Sequence, residues 1–427
     1  MRNDISLRRR FLRTTFASVG AMALTGVSAF AAGVRPRVVV IGGGFGGATA
    51  ARYLSLWGGG KVDITLIEHN AEFVSSPMSN MVIAGYRSID SLTLRYDGLL
   101  ARGIKVAHGE VVAIDPVARN LTLADRTQLA YDHLVVSPGV EFIWDAVGGM
   151  TDGLAAESIP HAWKAGRQTL LLQKQLMAMK DGGVFAISIP KSPFSCPVAP
   201  YERACLVAEY FKKNKPRSKL LILDANDDVQ SQKAMFTKVW TDWYPSIVEY
   251  RNNSELMEVD VAGRTAILEF DNVKADVLNV IPPQQAGNIA RDAGLIDVNK
   301  RWCDVNWLTM ESKAVSHIHV LGDATFAAPA MAKSGHMANQ HAKIAAAAIL
   351  ALLDGREPNP APLAVNACYS HVSKREASHI VSMHAYDAST ATMQPVHGAG
   401  GISSQPSEIE ARYAASWARN IWADSFG

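Results

Sequence analysis

Short β-branched runs alternate with helical segments along much of the chain. Residues 37–41 (RVVVI) predict a buried parallel strand, and an alanine-rich segment at 48–56 predicts a helix directly after it. Residues 62–67 (VDITLI) predict a second strand of the same kind. Because strands that alternate with helices pair in parallel, this order predicts an α/β fold.

A glycine-rich turn joins the first predicted strand to the helix. Gly42, Gly44 and Gly47 form a G-x-G-x-x-G pattern. The first glycine permits a tight turn, the second lets the backbone approach a pyrophosphate, and the third lets the helix pack on the strand. Glu68 ends the second strand about 20 residues later, where a carboxylate accepts hydrogen bonds from ribose hydroxyls. These features predict dinucleotide binding, and an acid at this point disfavours NADP.

Three later segments bear on which dinucleotide is expected. Pro138 and Gly139 end a segment that resembles the small-residue turn of flavoproteins with two dinucleotide-binding domains. Gly322 and Asp323 end one that resembles their later strand, whose aspartate binds the ribityl chain of FAD. Val112 lies in a run that resembles the strand beside the adenine, although an ordinary strand accounts for it equally well. The order of these segments favours FAD over NAD.

The corresponding turn of the second predicted nucleotide-binding unit contains no glycine. Residues 184–189 (VFAISI) predict a strand, and 190–197 (PKSPFSCP) follow it. Proline lacks an amide donor and fixes φ, so this turn is poorly suited to surround a pyrophosphate. We therefore expect a second Rossmann-like domain without an NAD site, with Cys196 at its mouth.

The net positive charge of the chain comes from its first 32 positions, which contain five arginines and one acidic residue. Residues 8–13 (RRRFLR) precede an uncharged apolar stretch at 16–32, which resembles a twin-arginine export signal; a membrane anchor is the alternative. We expect a periplasmic protein without a transmembrane anchor in its mature form, since no later run reaches the ~18 apolar residues of a spanning helix. Outside the leader, acidic residues outnumber basic ones, which argues against a nucleic-acid partner.

Length and composition predict a globular protein of two or three domains. The chain has 427 residues, of which 48% are hydrophobic and 19% charged. A proline-rich connection at 357–362 (EPNPAP) ends the preceding helix. The predicted division is a leader at 1–32, an FAD-binding domain at 34–150 and 280–355, a second Rossmann-like domain at 151–279, and a C-terminal interface region at 356–427.

Several motifs together resemble one flavoprotein family. They are Phe194-Ser195-Cys196-Pro197, Pro200-Tyr201-Glu202-Arg203, Ile281-Pro282-Pro283-Gln284, Lys333-Ser334-Gly335 and Ala367-Cys368-Tyr369-Ser370. They resemble the flavoprotein subunit of flavocytochrome c sulfide dehydrogenase, which has the Sox-type flavoprotein and sulfide:quinone oxidoreductase as relatives. The resemblance implies a two-dinucleotide-binding-domain flavoprotein with tandem Rossmann domains, as in disulfide reductases.

By this resemblance, Cys196 and Cys368 match a redox-active disulfide beside the flavin, which sulfide attacks. The sequence alone also allows a structural disulfide or buried free thiols. Glu202 matches a carboxylate that accepts the proton of H₂S, and a solvated acid at a helix start is the alternative. Lys333 matches a lysine near the flavin pyrimidine edge, and a solvated loop lysine is the alternative.

The segment at 73–80 (FVSSPMSN) departs from the family pattern. Where the family has a cysteine that carries FAD covalently, this chain has Ser76, and a serine cannot form that thioether. We therefore expect non-covalent FAD, with Pro77 and Asn80 as further flavin contacts. The remaining cysteines, Cys205 and Cys303, are expected to be core thiols.

The resemblance implies a periplasmic FAD-dependent sulfide dehydrogenase subunit that passes electrons to a c-type cytochrome. The chain has no Cys-x-x-Cys-His motif, so the acceptor must lie outside it. Two alternatives stay open: a sulfide:quinone oxidoreductase, and a non-catalytic flavoprotein that regenerates a sulfur-carrier protein. Ile409, Tyr413, Trp417 and Ile421 predict an amphipathic C-terminal helix that packs on the body or on a dimer partner, or else docks on a membrane.

Overall fold

The computed structural model describes residues 35–427. The predicted leader at 1–32 lies outside the described residues. Within the described part of the chain, no helix is both long and apolar enough to cross a membrane.

The secondary structure alternates between strands and helices up to about residue 355 and ends in an antiparallel sheet and a helix. The strands are β1 (Arg37–Ile41), β2 (Asp63–Glu68), β3 (Phe73–Val74), β4 (Thr93–Leu94), β5 (Lys105–His108), β6 (Val111–Asp115), β7 (Asn120–Leu123), β8 (Gln128–Ala130), β9 (His133–Val136), β10 (Val140–Phe142), β11 (Val184–Ile189), β12 (Lys219–Asp224), β13 (Val248–Arg251), β14 (Leu256–Asp260), β15 (Thr265–Leu268), β16 (Asn272–Lys274), β17 (Val277–Val280), β18 (Gln284–Ala286), β19 (Val305–Asn306), β20 (Glu311–Ser312), β21 (Ile318–Val320), β22 (Leu363–His371), β23 (Ala377–Asp387) and β24 (Thr392–Ile402). The helices are α1 (Phe45–Gly58), α2 (Ser79–Ile83), α3 (Asp97–Ala101), α4 (Asp152–Glu157), α5 (Arg167–Ala178), α6 (Ala199–Asn214), α7 (Lys233–Trp243), α8 (Asn288–Asp292), α9 (Gly335–Leu353) and α10 (Glu408–Phe426), with short 3₁₀ helices at Ile89–Leu92, Trp144–Ala146 and Gly322–Ala324.

The larger sheet has the strand order β19-β20-β21-β9-β1-β2-β5, and β21, β9, β1, β2 and β5 run parallel. Its central strand, β1, pairs Val39 with Thr65 of β2 and with Leu134 of β9. Val38 and Val40 are fully buried, because helices cover both faces of a parallel sheet. The predicted strand at 37–41 and the α/β class are confirmed.

A smaller sheet, β13-β12-β11-β17, is parallel throughout. Its strands lie between residues 184 and 280, whereas the larger sheet uses residues 37–136 and 305–320. The two sheets give the two Rossmann-like units that the sequence predicts. The domain boundaries themselves stay predictions.

The C-terminal region consists of the antiparallel sheet β22-β23-β24 and helix α10. Strand β22 packs against α6 and α9, and α10 packs against α1, β22 and β23. Ile421 is buried and Trp417 is half-buried, whereas Ile409 and Tyr413 remain 46% and 52% exposed. The second half of α10 is therefore the part that packs on the body, which the even spacing of the apolar stripe did not predict.

Candidate active site

The glycine turn between β1 and α1 leaves an open helix N-terminus. Gly47 must be glycine, because a Cβ there would lie 1.8 Å from the carbonyl oxygen of Gly42. Gly42 itself has a φ of 94°. A Cβ on Gly44 would meet nothing nearer than Phe73, at 3.6 Å, and no side chain caps α1. Unpartnered amides at a helix start attract phosphate, so the turn fits a pyrophosphate.

Glu68 is tied to this turn. Its Oε2 accepts a hydrogen bond from the Gly43 amide at 2.7 Å, and its Oε1 accepts one from the Asn70 amide at 2.9 Å. The structure thus places the acid beside the glycine turn. Its expected contact with a ribose stays a prediction. Val112 lies on β6, outside the larger sheet, with a half-exposed side chain.

Two further turns meet beside the glycine turn. A Cβ on Gly42 would lie 2.3 Å from the carbonyl oxygen of Ser137, just before Pro138 and Gly139. Gly322 donates its amide to His341 Nδ1 at 3.2 Å. The following residue, Asp323, has a buried Oδ1 that has no hydrogen-bond partner among residues 35–427, and burial raises the pKa of its carboxyl group.

These features fit FAD. A buried carboxylate oxygen without a partner is costly, and a ribityl hydroxyl would donate to it. The open N-terminus of α1 would bind the pyrophosphate, and the turn at Pro138 lies close to it. The glycine turn, the turn at Pro138 and the segment at Gly322–Asp323, all predicted to bind FAD, therefore lie together in one region of the fold.

A cavity continues from the glycine turn toward the second sheet. Phe45 and Phe73 line the end nearest the turn. The segment around Ser76, the start of α6 and strand β22 line the rest, together with Trp163 and Trp417. The residues predicted for the site that line this cavity are Ser76, Pro77, Asn80, Cys196, Glu202 and Cys368.

The two cysteines reach this cavity from different elements. Cys196 lies in the turn before α6, with a φ of 51°, and its amide donates to the Lys333 carbonyl at 2.7 Å. Cys368 lies on β22, where Asn366 Nδ2 donates to its Sγ at 3.4 Å. Because β22 packs on α6, the fold brings the two residues to one cavity. Both are free thiols in the structure, and burial raises the pKa of each.

The other two cysteines behave differently. Cys205 lies on α6 and Cys303 precedes β19, and both are fully buried in hydrophobic clusters. Burial raises the pKa of each thiol, that of Cys303 to about 12. Both are core residues, as expected from the sequence.

Glu202 lies in the first turn of α6 and is buried rather than solvated. Its Oε2 accepts a hydrogen bond from Asn80 Nδ2 at 2.7 Å, and its Oε1 accepts one from the His371 amide at 2.9 Å. Burial outweighs these hydrogen bonds and raises the pKa of Glu202 from 4.5 to about 7. A carboxyl group with such a pKa exchanges protons near neutral pH.

Arg203 is the main residue of the site that sequence reasoning missed. Its Nε donates to Asn80 Oδ1 at 3.0 Å and its Nη1 to Asn279 Oδ1 at 2.7 Å, while backbone carbonyls of His161 and Ala162 accept its remaining hydrogen bonds. The guanidinium is buried, which lowers its pKa to about 10. Through Asn80 it fixes Glu202. The only sequence signal was its place in the motif that contains Glu202.

Lys333 is buried as well. Its Nζ donates to the carbonyl oxygens of Asp323, at 2.9 Å, and Thr325, and it lies 3.7 Å from the centre of the Trp302 ring. Burial lowers the pKa of Lys333 to about 8. Its side chain does not line the cavity that contains the cysteines. Its carbonyl supports Cys196, and a contact of its ammonium group with a flavin stays a prediction.

The proline-rich turn after β11 uses its amides within the protein. Ser192 and Ser195 donate their amides to Asn226 Oδ1 and Gln284 Oε1, both at 2.9 Å. At the end of the neighbouring strand β12, Asp224 is buried and accepts hydrogen bonds from the Tyr201 and Tyr250 hydroxyls. These groups are not free to meet a nucleotide. The absence of an NAD site stays a prediction that this geometry supports.

Three family models match the chain. Residues 36–165 match the pyridine nucleotide-disulphide oxidoreductase model. Residues 169–282 match the central domain of the sulfide dehydrogenase (flavocytochrome c) flavoprotein chain, and residues 360–426 match the flavin-binding domain of flavocytochrome c sulphide dehydrogenase. The chain is a relative of the flavocytochrome c sulfide dehydrogenase flavoproteins. The resemblance seen in the sequence motifs is confirmed, and with it the expected cofactor class, a flavin.

Known proteins of similar sequence include sulfide:quinone oxidoreductases. The mitochondrial enzyme of Dictyostelium discoideum is 24% identical over 68% of this chain, and the match spans 65% of its own length, just under two thirds. The sulfide-quinone reductase of Aquifex aeolicus is 30% identical over 43% of this chain and 41% of its own length.

Solved structures confirm the fold class. The sulfide:quinone oxidoreductase of Aquifex aeolicus has a TM-score of 0.75 at 18% identity and covers 92% of both chains. Putidaredoxin reductase, in its covalent complex with putidaredoxin, has a TM-score of 0.64 at 18% identity and covers 92% of this chain and 94% of that one. The chain therefore has the tandem Rossmann architecture of flavin-dependent oxidoreductases.

Proposed function

We propose that the chain is a FAD-dependent sulfide oxidoreductase in which Cys196 and Cys368 form the redox pair. The observation that carries this proposal is the shared cavity. Two cysteines from distant parts of the sequence line it together with Glu202, a carboxyl group whose pKa is raised to about 7. Titratable groups with perturbed pKa values that converge in a cavity are typical of active sites.

FAD would be held by the glycine turn at Gly42–Gly47, by Asp323 and by the segment 76–80. When bound, it supplies the acceptor for the two electrons that sulfide releases. Ser76 lines the cavity, and its hydroxyl group cannot form a thioether, so the proposed attachment is non-covalent.

The first chemical step belongs to the cysteines. In the oxidised protein, HS⁻ attacks one sulfur of the Cys196–Cys368 disulfide, which breaks the S–S bond. The attacked cysteine becomes a persulfide and the other leaves as a thiolate. The left-handed backbone at Cys196 directs that residue into the cavity from a turn anchored on the Lys333 carbonyl. Burial raises the pKa of Cys196, so the site by itself disfavours the thiolate form of this residue.

Glu202 is proposed to accept the proton of H₂S. The ionised carboxylate is required, and with a pKa of about 7 a substantial fraction of Glu202 is ionised at neutral pH. Asn80 and the His371 amide hold the two oxygens and orient the group. Arg203 acts through Asn80 and is a positioning residue.

The acceptor is proposed to be a c-type cytochrome in the periplasm, as in the sulfide dehydrogenase family. Sulfide:quinone oxidoreductase is the second candidate, and the named relatives favour it. Reduction of soluble cytochrome c, with no activity toward decylquinone, would support the cytochrome as acceptor. Reduction of decylquinone, with no activity toward cytochrome c, would support the quinone.

The test of the proposed function is anaerobic addition of sulfide to the purified, FAD-loaded protein while the flavin spectrum is recorded. The flavin absorbance of the wild-type protein should bleach, and so should that of Cys205→Ser, a matched substitution of a core cysteine. Cys196→Ser and Cys368→Ser should not. Normal bleaching in both variants would contradict the proposal.

A further inference from the structure

The cavity lined by Cys196, Glu202 and Cys368 is called the redox cavity. A second pocket, of about 400 Å³, lies beside it, between α2, the β22–β23 turn and the start of α10. We call it the basic pocket. Its charged lining is Arg87, Lys374, Arg375 and Arg412 against the single carboxylate Glu408. Cations from three separate elements thus converge on one depression, which attracts anions.

Most of these cations have no ion-pair partner within the described part of the chain. Arg412 is 3.8 Å from Glu408. Among the ion pairs of residues 35–427, none includes Arg87, Lys374 or Arg375. The nearest aromatic contact is that of Lys374, whose Nζ lies 5.4 Å from the Tyr86 ring centre. An anion in the pocket would supply the missing partner, and charge-assisted hydrogen bonds are the stronger ones.

His371 adds a neutral polar residue to the lining of the pocket. Only 4% of it is exposed. Burial lowers its pKa to about 4, against the opposing effect of a backbone hydrogen bond at Ser373, so the ring is neutral at physiological pH. A neutral imidazole does not repel the cations around it, and the positive charge of the pocket therefore comes from the lysine and the arginines alone.

The basic pocket is directly connected with the redox cavity through two residues. Met78 lines both. The amide of His371 donates to Glu202 Oε1 at 2.9 Å, so a residue that lines the basic pocket also holds the proposed proton acceptor. Met81 adds a second polarizable thioether to the wall.

We propose that the basic pocket binds a small sulfur anion with an oxyanion end and a terminal sulfur, of the chemical class of thiosulfate. The cations match the oxygens, and Met78 and Met81 match the soft sulfur. The choice of a sulfur compound rests on the proposed function, because the neighbouring cavity is the proposed site of sulfide oxidation. The affinity for an anion rests on the pocket alone.

The test is calorimetric titration of the oxidised, FAD-loaded protein with thiosulfate in the absence of sulfide, so that no turnover is required. We expect saturable binding of one anion per chain. Arg375→Gln and Lys374→Gln, at exposed positions where folding is not at risk, should each weaken binding about tenfold, or about 1.4 kcal/mol. Lys238→Gln, an exposed lysine of α7 outside the pocket, is the matched control and should bind as wild type does.

Three results would overturn the inference: no saturable binding, equal affinity in the pocket variants and the wild type, or equal affinity for sulfate and thiosulfate. The last would show that the terminal sulfur is not recognised. The outcome is separable from that of the proposed function. If thiosulfate binds as expected but sulfide fails to bleach the flavin, the anion site stands and the proposed function fails. If sulfide bleaches the flavin but thiosulfate does not bind, the proposed function stands and the anion site fails.

Discussion

Replacing Glu202 by glutamine should change how the stability of the protein depends on pH. The carboxyl group has a pKa of about 7 in the folded protein and an ordinary value of 4.5. Between these values the folded protein holds a proton that the unfolded chain has released. The free energy of unfolding therefore falls as the pH rises through this window, and it is not changed further by this group above it.

The magnitude follows from the width of the window. Each unit between the two pKa values corresponds to about 1.4 kcal/mol, so the ionised Glu202 destabilises the folded protein by about 3 kcal/mol above neutral pH. Glutamine does not titrate. Between about pH 5 and about pH 8, which covers most of this window, the wild type should therefore lose about 2.5 kcal/mol more stability than Glu202→Gln. Effects of the substitution that do not depend on pH cancel in this comparison.

The assay is urea unfolding followed by tryptophan fluorescence at the two pH values for both proteins. Glu249→Gln, at an exposed carboxylate on β13, is the control and should change with pH as the wild type does. If the wild type and Glu202→Gln lose the same stability over this range, then Glu202 does not carry a raised pKa. Its proposed role as the proton acceptor would then lose its physical basis.

Further predictions concern the flavin linkage, the buried arginine and the core thiols. Wild-type protein should release all of its FAD on denaturation, whereas Ser76→Cys should retain a fluorescent flavin on a denaturing gel; retention by the wild type would refute non-covalent binding. Arg203→Met should lower stability by about 3–5 kcal/mol, because it leaves several buried acceptors unpaired, and an unchanged melting temperature would contradict the network. Cys205 and Cys303 should resist iodoacetamide in the folded protein, and rapid alkylation of either, measured by peptide mass, would contradict their burial.

Local patterns predicted the first nucleotide-binding unit well. The run at 37–41 and the glycine at position 47 act within one strand–turn–helix, so the sequence contains the whole physical reason for the structure. The strand predicted at 184–189 is confirmed as β11 for the same local reason. The fold class followed from these elements.

The candidate site was less accessible from the sequence, because its contacts are long-range. Nothing near Cys196 indicates that β22 will pack on α6 and bring Cys368 to the same cavity; the pairing came from resemblance alone. The network that joins Glu202 to Asn80 and Arg203 depends on how α2 meets α6. The sequence also allowed a solvated Glu202 and a solvated Lys333, but both side chains are buried in the structure. Burial depends on tertiary packing, which the local sequence does not show.

The central claim is that Cys196 and Cys368 form a disulfide that sulfide opens. Mass spectrometry of peptides from the oxidised protein, before and after one equivalent of sulfide, tests it most directly. Before addition, the account predicts a peptide pair joined through these two cysteines; afterwards, it predicts the mass of one additional sulfur atom on one of them. Unbridged cysteines in active oxidised protein, or added sulfur only on Cys205 or Cys303, would contradict it.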